Sequence, residues 1–324
     1  MPQSVRAFAP ASVSNLGCAF DILGFALERP GDEVVVRRKP RPGVSISHIS
    51  GDQGRLPRQA DRNTAGVALT ALLSHLKIDT GLEIEVRKKM PLSSGLGSSA
   101  ASAVAALTAA NALLESPLEK LDLLPFALQA EKMACGAGHA DNAAPSLLGG
   151  MVLIRSCQPL DVIPIPAPAN LCCSLVCPAL EIRTEEARRI LSATVGLPAA
   201  VAQWGNVAGL IAGLLQQDYA LIGRSLQDHV IEPQRAALIP GFRRVKQAAL
   251  DAGALGCGIS GSGPSLFALS DSQAAASKIV RAMEGAFQEQ GIASRGYVSR
   301  INPYGSRVVS GSHAKTQRRK EEGE

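Results

Sequence analysis

Residues 91–102 read Pro91-Leu92-Ser93-Ser94-Gly95-Leu96-Gly97-Ser98-Ser99-Ala100-Ala101-Ser102, and no other stretch restricts the possible folds as strongly. A β-type run over 82–88 precedes it, and an Ala-rich helical run to about residue 114 follows. A strand is thus led into a helix through two glycines and the four serines of residues 93–99. Gly95 and Gly97 let the backbone turn tightly and come close to a ligand. The free N–H groups of the first helical turn, reinforced by the helix dipole, then favour an anion. Such a segment is a phosphate cradle. It is not a Walker A loop, because no lysine follows the last glycine. The plain alternative, a Gly/Ser turn before a helix, accounts less well for the serines together with the strand and helix on either side.

The rest of the chain supplies the frame. Its 324 residues suffice for two domains. With 46% hydrophobic and 19% charged residues it is not a disordered chain. Aromatics are only 3%, so the core is built from Ala, Val, Leu and Ile, which favours mixed α/β layers. The net charge of +5 is concentrated in a solvated tail at 315–320, with no basic stripe interleaved with aromatics, so no nucleic-acid partner is expected. A mildly basic balance suits nucleotides and carboxylates. Seven cysteines without a CxxC or zinc spacing imply reduced, mostly buried thiols. Residues 1–10 lack a signal-peptide core, and no apolar run is read as reaching the ~18 residues of a membrane span. A soluble, cytoplasmic protein with no membrane partner is the expectation.

Periodicity predicts strands over 5–8, 34–38, 82–88 and 151–155, with a helix over 63–76. Ser116, Pro117 and Glu119 form a capping box that starts a further helix, which runs through 126–134 to the turn at 135–138. The Pro-rich segment 158–170 is the expected crossing between two domains. Beyond it come a buried strand at 171–177 and helices near 184–193, 198–216, 219–227 and 242–252. Short strands at 256–259 and 265–269, a helix over 273–288 and a strand at 297–300 complete the order. Strand–helix–strand–strand–helix–strand suggests a ferredoxin-like α+β half.

The glycine-rich segment resembles the second signature of the GHMP kinases. Ala9-Pro10-Ala11-Ser12-Val13-Ser14-Asn15-Leu16-Gly17-Cys18-Ala19-Phe20-Asp21 resembles their first signature, and Gly258-Ile259-Ser260-Gly261-Ser262-Gly263-Pro264-Ser265 their third. The resemblance spans residues 1 to about 303. It implies an α+β GHMP kinase fold: an N-terminal ATP-binding domain, 1–165, like ribosomal protein S5 domain 2, a C-terminal ferredoxin-like domain, 166–303, and a flexible tail, 304–324. His139-Ala140-Asp141-Asn142, together with Thr184, Arg188 and Arg235, matches the homoserine kinase branch, which works in threonine biosynthesis. Mevalonate- and sugar-type kinases, a diphosphomevalonate decarboxylase and a non-catalytic metabolite sensor are the other readings this fold admits.

The resemblance also implies residue roles. ATP lies along Asn63, Lys88, Pro91, Ser93, Ser94, Gly95, Leu96, Gly97, Ser98, Ser99 and Ala100, with Ser260, Gly261 and Ser262 closing over it. Mg²⁺ is held by Ser98 or Ser99 with Glu131, hard oxygen ligands of the type it prefers. L-homoserine is bound by Asn15, Asp21, His139, Asp141, Asn142, Thr184, Arg188 and Arg235. The arginines suit its carboxylate, and Asp21 and Asp141 suit its ammonium. Asn142 stands where some members of the superfamily carry an aspartate base. Catalysis by Asn142, Asp21, Glu131 and Ser99 is then expected through positioning and electrostatics without a general base. A homodimer is the implied assembly. Each residue also has an ordinary structural reading: Asp21 a turn cap, His139 a helix-end residue, Arg188 and Arg235 surface cations.

Overall fold

The computed structural model describes residues 3–136, 138 and 140–312. Its first part comprises β1 (Ser4–Ser14), β2 (Leu23–Lys39), β3 (Gly43–Ser50), α1 (Thr64–Leu76), β4 (Gly81–Arg87), α2 (Ser98–Asn111), α3 (Lys120–Cys135), α4 (Ala140–Leu148), β5 (Met151–Cys157) and β6 (Leu160–Ile165). Then come β7 (Cys172–Pro178), α5 (Thr184–Arg189), α6 (Leu197–Gln216), α7 (Tyr219–Ser225), α8 (Glu232–Arg235) and α9 (Phe242–Asp251). The last elements are β8 (Gly256–Ile259), β9 (Leu266–Ser270), α10 (Gln273–Gln288), β10 (Ser294–Arg300) and β11 (Arg307–Ser312).

The first sheet runs β11-β1-β2-β4-β3, with β5 paired to the start of β2 and β6 to β5. Among the described residues only β3 and β4 run parallel. Along β1, Val5, Ala7 and Ala9 are buried at every second position, as a half-covered strand requires, and from Ala9 to Ser14 both faces are buried. Helix α2 lies on β1 and β2 and is itself wrapped by α1, α3 and α4. Nearly every residue of α2 is therefore buried, and its alanines let three helices approach closely. The second sheet is antiparallel, in the order β10-β7-β9-β8. Ile279, Met283 and Phe287 of α10 are buried against it, which gives the ferredoxin-like arrangement expected. A bridge between Leu27 and Ile301 links the two sheets.

Several boundaries differ from the sequence reading. The capping box at Ser116 does not start a helix; α3 begins at Lys120. The side chain of Asn111 bonds both the N–H and the C=O of Leu118 (2.8 Å each), which occupies that backbone before any helix can form. Within the Pro-rich crossing, Leu160–Ile165 is a strand, so only the segment after it joins the sheets. The strand β3 was not anticipated, and β1 and β2 are longer than their β-branched cores. The expected tail from residue 304 instead returns as β11 beside β1; residues 313–324 lie outside those described. Contrary to the reading of the apolar runs, α6 is long and apolar enough to cross a membrane by length and composition. Its Leu210, Gly213 and Leu214 are buried, while Trp204 is 63% exposed.

Candidate active site

Three Gly/Ser turns meet at the end of β1. Ser12 and Ser14, two residues apart on the strand, lean the same way. The Ser12 N–H donates to Leu96 O (3.2 Å), the Gly261 N–H to Ser14 O (3.2 Å) and the Ser265 N–H to Ser94 O (3.3 Å). The Ser260 hydroxyl donates to Gly95 O (2.8 Å). The third turn is also a hairpin between β8 and β9, so its structural and functional readings coexist. Gly95 and Gly97 have φ of +76° and +64°. A Cβ on Gly95 would lie 2.3 Å from Ser260 O, and one on Gly97 2.3 Å from Ser12 Oγ and 2.8 Å from Asn142 Oδ1. These contacts, as much as the backbone angles, demand glycine. The turns line a cleft of about 990 Å³ that also holds Asn63, Glu131, Asp141, Asn142, Thr184, Arg188 and Arg235.

At one end of the cleft, α2 starts immediately after Gly97, which brings no side chain to cap it. The first-turn N–H groups are thereby aimed at the cleft as a cradle requires. The two serines that open α2 differ. Ser98 donates its hydroxyl to Asp32 (3.0 Å), while its carbonyl accepts from Lys88 Nζ (2.7 Å). Lys88 is also paired with Asp32. The Ser98 hydroxyl and the Lys88 ammonium, read from the sequence as a metal ligand and a nucleotide contact, are thus bonded to a buried carboxylate that needs donors, while both residues line the cleft. Ser99 faces Glu131 instead. Burial pushes the Glu131 carboxyl up to about 7, against the opposing hydrogen bond from Ser99 and the charge of Lys88. Its Oε1 has no protein partner. A buried carboxyl with a free oxygen beside a hydroxyl and a phosphate cradle fits a hard divalent cation. Asn63 caps α1, accepting from Ala65 N (3.1 Å) and donating to Pro57 O (2.9 Å), and it also lines the cleft.

The other end gathers charge. Asn142 is clamped: Ser12 Oγ donates to its Oδ1 (2.9 Å), and its Nδ2 donates to Ser14 Oγ (3.0 Å). Beside it, burial and then the charge of Asp21 push the Asp141 carboxyl up to about 7, despite Ser14 and Arg188. Asp141 Oδ1 is buried and unpartnered. Asp21, at φ +63°, is not a helix cap; it accepts two bonds from Arg188 (2.7 and 2.9 Å). Asn15 accepts from the Asp21 N–H (3.0 Å) and donates to Gly261 O (2.8 Å), tying the first turn to the third. Arg235 is buried, donating to Ala187 O (3.2 Å) and Gly261 O (2.8 Å). Its pKa is lowered to about 10 by burial and by the neighbouring Arg188, so it remains a cation at neutral pH. Both guanidinium groups lie over the Phe20 ring, at 5.3 Å for Arg188 and 5.0 Å for Arg235. Thr184 Oγ1 is 3.5 Å from Ser262 Oγ. Arg189 is exposed, so Arg188 is the arginine of α5 turned to the site. His139 lies outside the described residues.

Two cations and two carboxyls on one wall match a zwitterion. Ser12, Ser14, Phe20 and Asp32 contribute to the site without having been singled out from the sequence. The serines at alternate positions of a strand were the legible signal; nothing local marked Phe20 or Asp32.

Residues 63–150 match the GHMP kinases N terminal domain and residues 210–289 the GHMP kinases C terminal family. The homoserine kinase of Chlorobium phaeovibrioides is 52% identical over 319 residues, covering 95% of this chain and 100% of that one. That of Xylella fastidiosa (strain 9a5c) is 44% identical over 304 residues, 94% of each chain. The crystal structure of homoserine kinase from Cytophaga hutchinsonii superposes with a TM-score of 0.94 at 56% identity, covering 95% of this chain and 98% of that one. A mevalonate kinase from L. major shares the fold at 18% identity, with a TM-score of 0.69.

Proposed function

Because the chain belongs to the GHMP kinase family, we propose that it is a homoserine kinase, transferring the γ-phosphoryl of ATP to the side-chain hydroxyl of L-homoserine and releasing ADP and O-phospho-L-homoserine. About half of its residues are shared with homoserine kinases along nearly the whole chain. The observation that carries the reading at atomic scale is the convergence of three Gly/Ser turns on one cleft, with a cradle at one end and paired opposite charges at the other.

Phosphoryl transfer asks a protein mainly for in-line positioning and charge neutralisation. The amides of residues 95–99 hold the terminal phosphates at the α2 dipole. Ser99 and Glu131 are the residues that would hold Mg²⁺; Ser98 is committed to Asp32. When bound, the ion neutralises phosphate charge. Arg235 and Arg188 receive the carboxylate of the amino acid, and Asp141 with Asp21 receives its ammonium. On homoserine binding, Arg188 shares itself between Asp21 and the incoming carboxylate. The amide of Asn142, fixed by Ser12 and Ser14, orients the acceptor hydroxyl. An amide cannot take a proton, so the hydroxyl proton leaves to phosphate or water. Both substrates are free metabolites of the cytoplasm, which is where the chain is expected to act, as a homodimer.

An ADP-release assay with a panel of alcohols tests the reading. Turnover with L-homoserine, and none with mevalonate or galactose, is the expected result. Turnover with another alcohol in preference to homoserine would reassign the acceptor, and ADP from no acceptor would leave a nucleotide sensor.

A further inference from the structure

Asp32 and Lys88 form an ion pair with 0% and 2% of their side chains exposed. Replacing a buried pair by apolar residues is commonly neutral or stabilising, so stability alone does not account for it. Its hydrogen bonds suggest another reason. Asp32 Oδ1 accepts the N–H groups of Lys89 (2.8 Å) and Met90 (3.2 Å), where the chain leaves β4. Its Oδ2 accepts the hydroxyls of Ser98 (3.0 Å) and Ser102 (3.3 Å), on the first turns of α2. Lys88 Nζ donates to Ser98 O (2.7 Å) and Ser102 Oγ (2.8 Å). One carboxylate on β2 therefore grips the phosphate-binding turn at both ends, and the lysine fastens the far end a second time.

We propose that Asp32 and Lys88 are positioning residues for ATP: their buried pair fixes both ends of the turn at 91–97, and so sets where its amides and Ser99 stand relative to Glu131. Resting on the kinase reading above, the proposal gives Asp32, and Lys88 at the cleft wall, a role in holding the turn rather than in the chemistry. It also explains why adjacent serines diverge. Ser98 anchors the turn from below, and Ser99 is left to the cleft.

The test separates geometry from folding. In Lys88→Met alone a buried carboxylate is stranded, and the melting temperature falls. In the double variant Asp32→Asn, Lys88→Met the charges are gone, while the amide oxygen still accepts from Lys89 and Met90. Its melting temperature recovers most of the loss, yet Mg-ATP binding by calorimetry weakens by roughly tenfold or more with the KM for homoserine unchanged. Ser102→Ala, a smaller change that cuts a tie to both charges, decides the matter should the double variant fail to fold. ATP affinity in Ser102→Ala drops by about threefold or more, without change in homoserine KM. Wild-type ATP affinity in a folded double variant, or in Ser102→Ala if the double does not fold, overturns the proposal. Equal weakening toward both substrates also overturns it, since that is general loosening. Failure of the wild-type protein itself to bind ATP would instead remove the kinase reading.

Discussion

Arg235 is 3% exposed, spends two of its donors on backbone carbonyls and keeps its charge beside a second guanidinium. Arg188 is paired with Asp21 while Arg235 bonds backbone carbonyls, so this pair of cations can take a further anion, the carboxylate of the substrate. Arg235→Ala removes a charge-assisted hydrogen bond worth roughly 1.5–3 kcal/mol, so the KM for homoserine should rise about tenfold to a hundredfold with ATP affinity unaltered; an unchanged KM excludes Arg235 from the site. Asn142→Ala should lower kcat by roughly a hundredfold, through lost orientation, with no new pH dependence. Asp141 and Glu131, both raised to about 7, fix the expected pH profile. Below pH 7 they become protonated and lose their hold on ammonium and metal, so kcat/KM falls on the acid side. At saturating substrates the bound charges keep both carboxyls ionised, and kcat stays flat. A limb that persists in kcat, and disappears in Asp141→Asn, would make Asp141 the proton acceptor and refute the scheme without a base.

At the scale of elements, the strand–turn–helix from β4 to α2 was legible because its requirement is local. Two glycines at positive φ and an uncapped helix start are encoded by adjacent residues. The hairpin at 260–263 and the periodic α10 were legible for the same reason. What was not legible depends on distant partners. Lys88 reads as a nucleotide contact until Asp32, 56 positions away, is seen to hold it. Asn142 finds Ser12 130 positions away. The box at Ser116 had every residue type required, and lost to an Asn111 side chain already bonded to Leu118. Gly97→Ala tests the element most sharply. A left-handed Cβ costs about 1–2 kcal/mol, and this one would also press on Ser12 and Asn142. We expect kcat/KM for ATP to fall by roughly a hundredfold or more in a protein that still folds. Wild-type kinetics would mean that the turn does not approach the acceptor site.

Over the whole molecule, the active site is stored at a cost in the ligand-free state. Glu131 and Asp141 have folded pKa values near 7 against ordinary values of 4.5 and 3.8. Raised values give stability that is complete below the unfolded pKa and is lost as pH rises through 7. Thermal melts of the ligand-free protein should therefore show a decline from pH 5 to pH 8 that is shallower in Glu131→Gln; an identical slope would show that Glu131 does not carry the effect. The exposed stripe of α6 concerns assembly. Leu197, Val201, Trp204 and Leu215 face outward on a helix without a charged residue, so two copies can meet there without burying charge. Sedimentation should find a dimer that Trp204→Glu converts to monomer, and a dimer indifferent to that change must use another face. The central claim is the joining of cradle and charge cluster into one reaction site. It is tested most directly by a crystal structure with a non-hydrolysable ATP analogue and L-homoserine. Terminal phosphates should lie on the amides of residues 95–99, with the carboxylate of the amino acid on Arg235 and its hydroxyl beside Asn142. Phosphates bound away from those amides, or an amino acid outside this cleft, would contradict it.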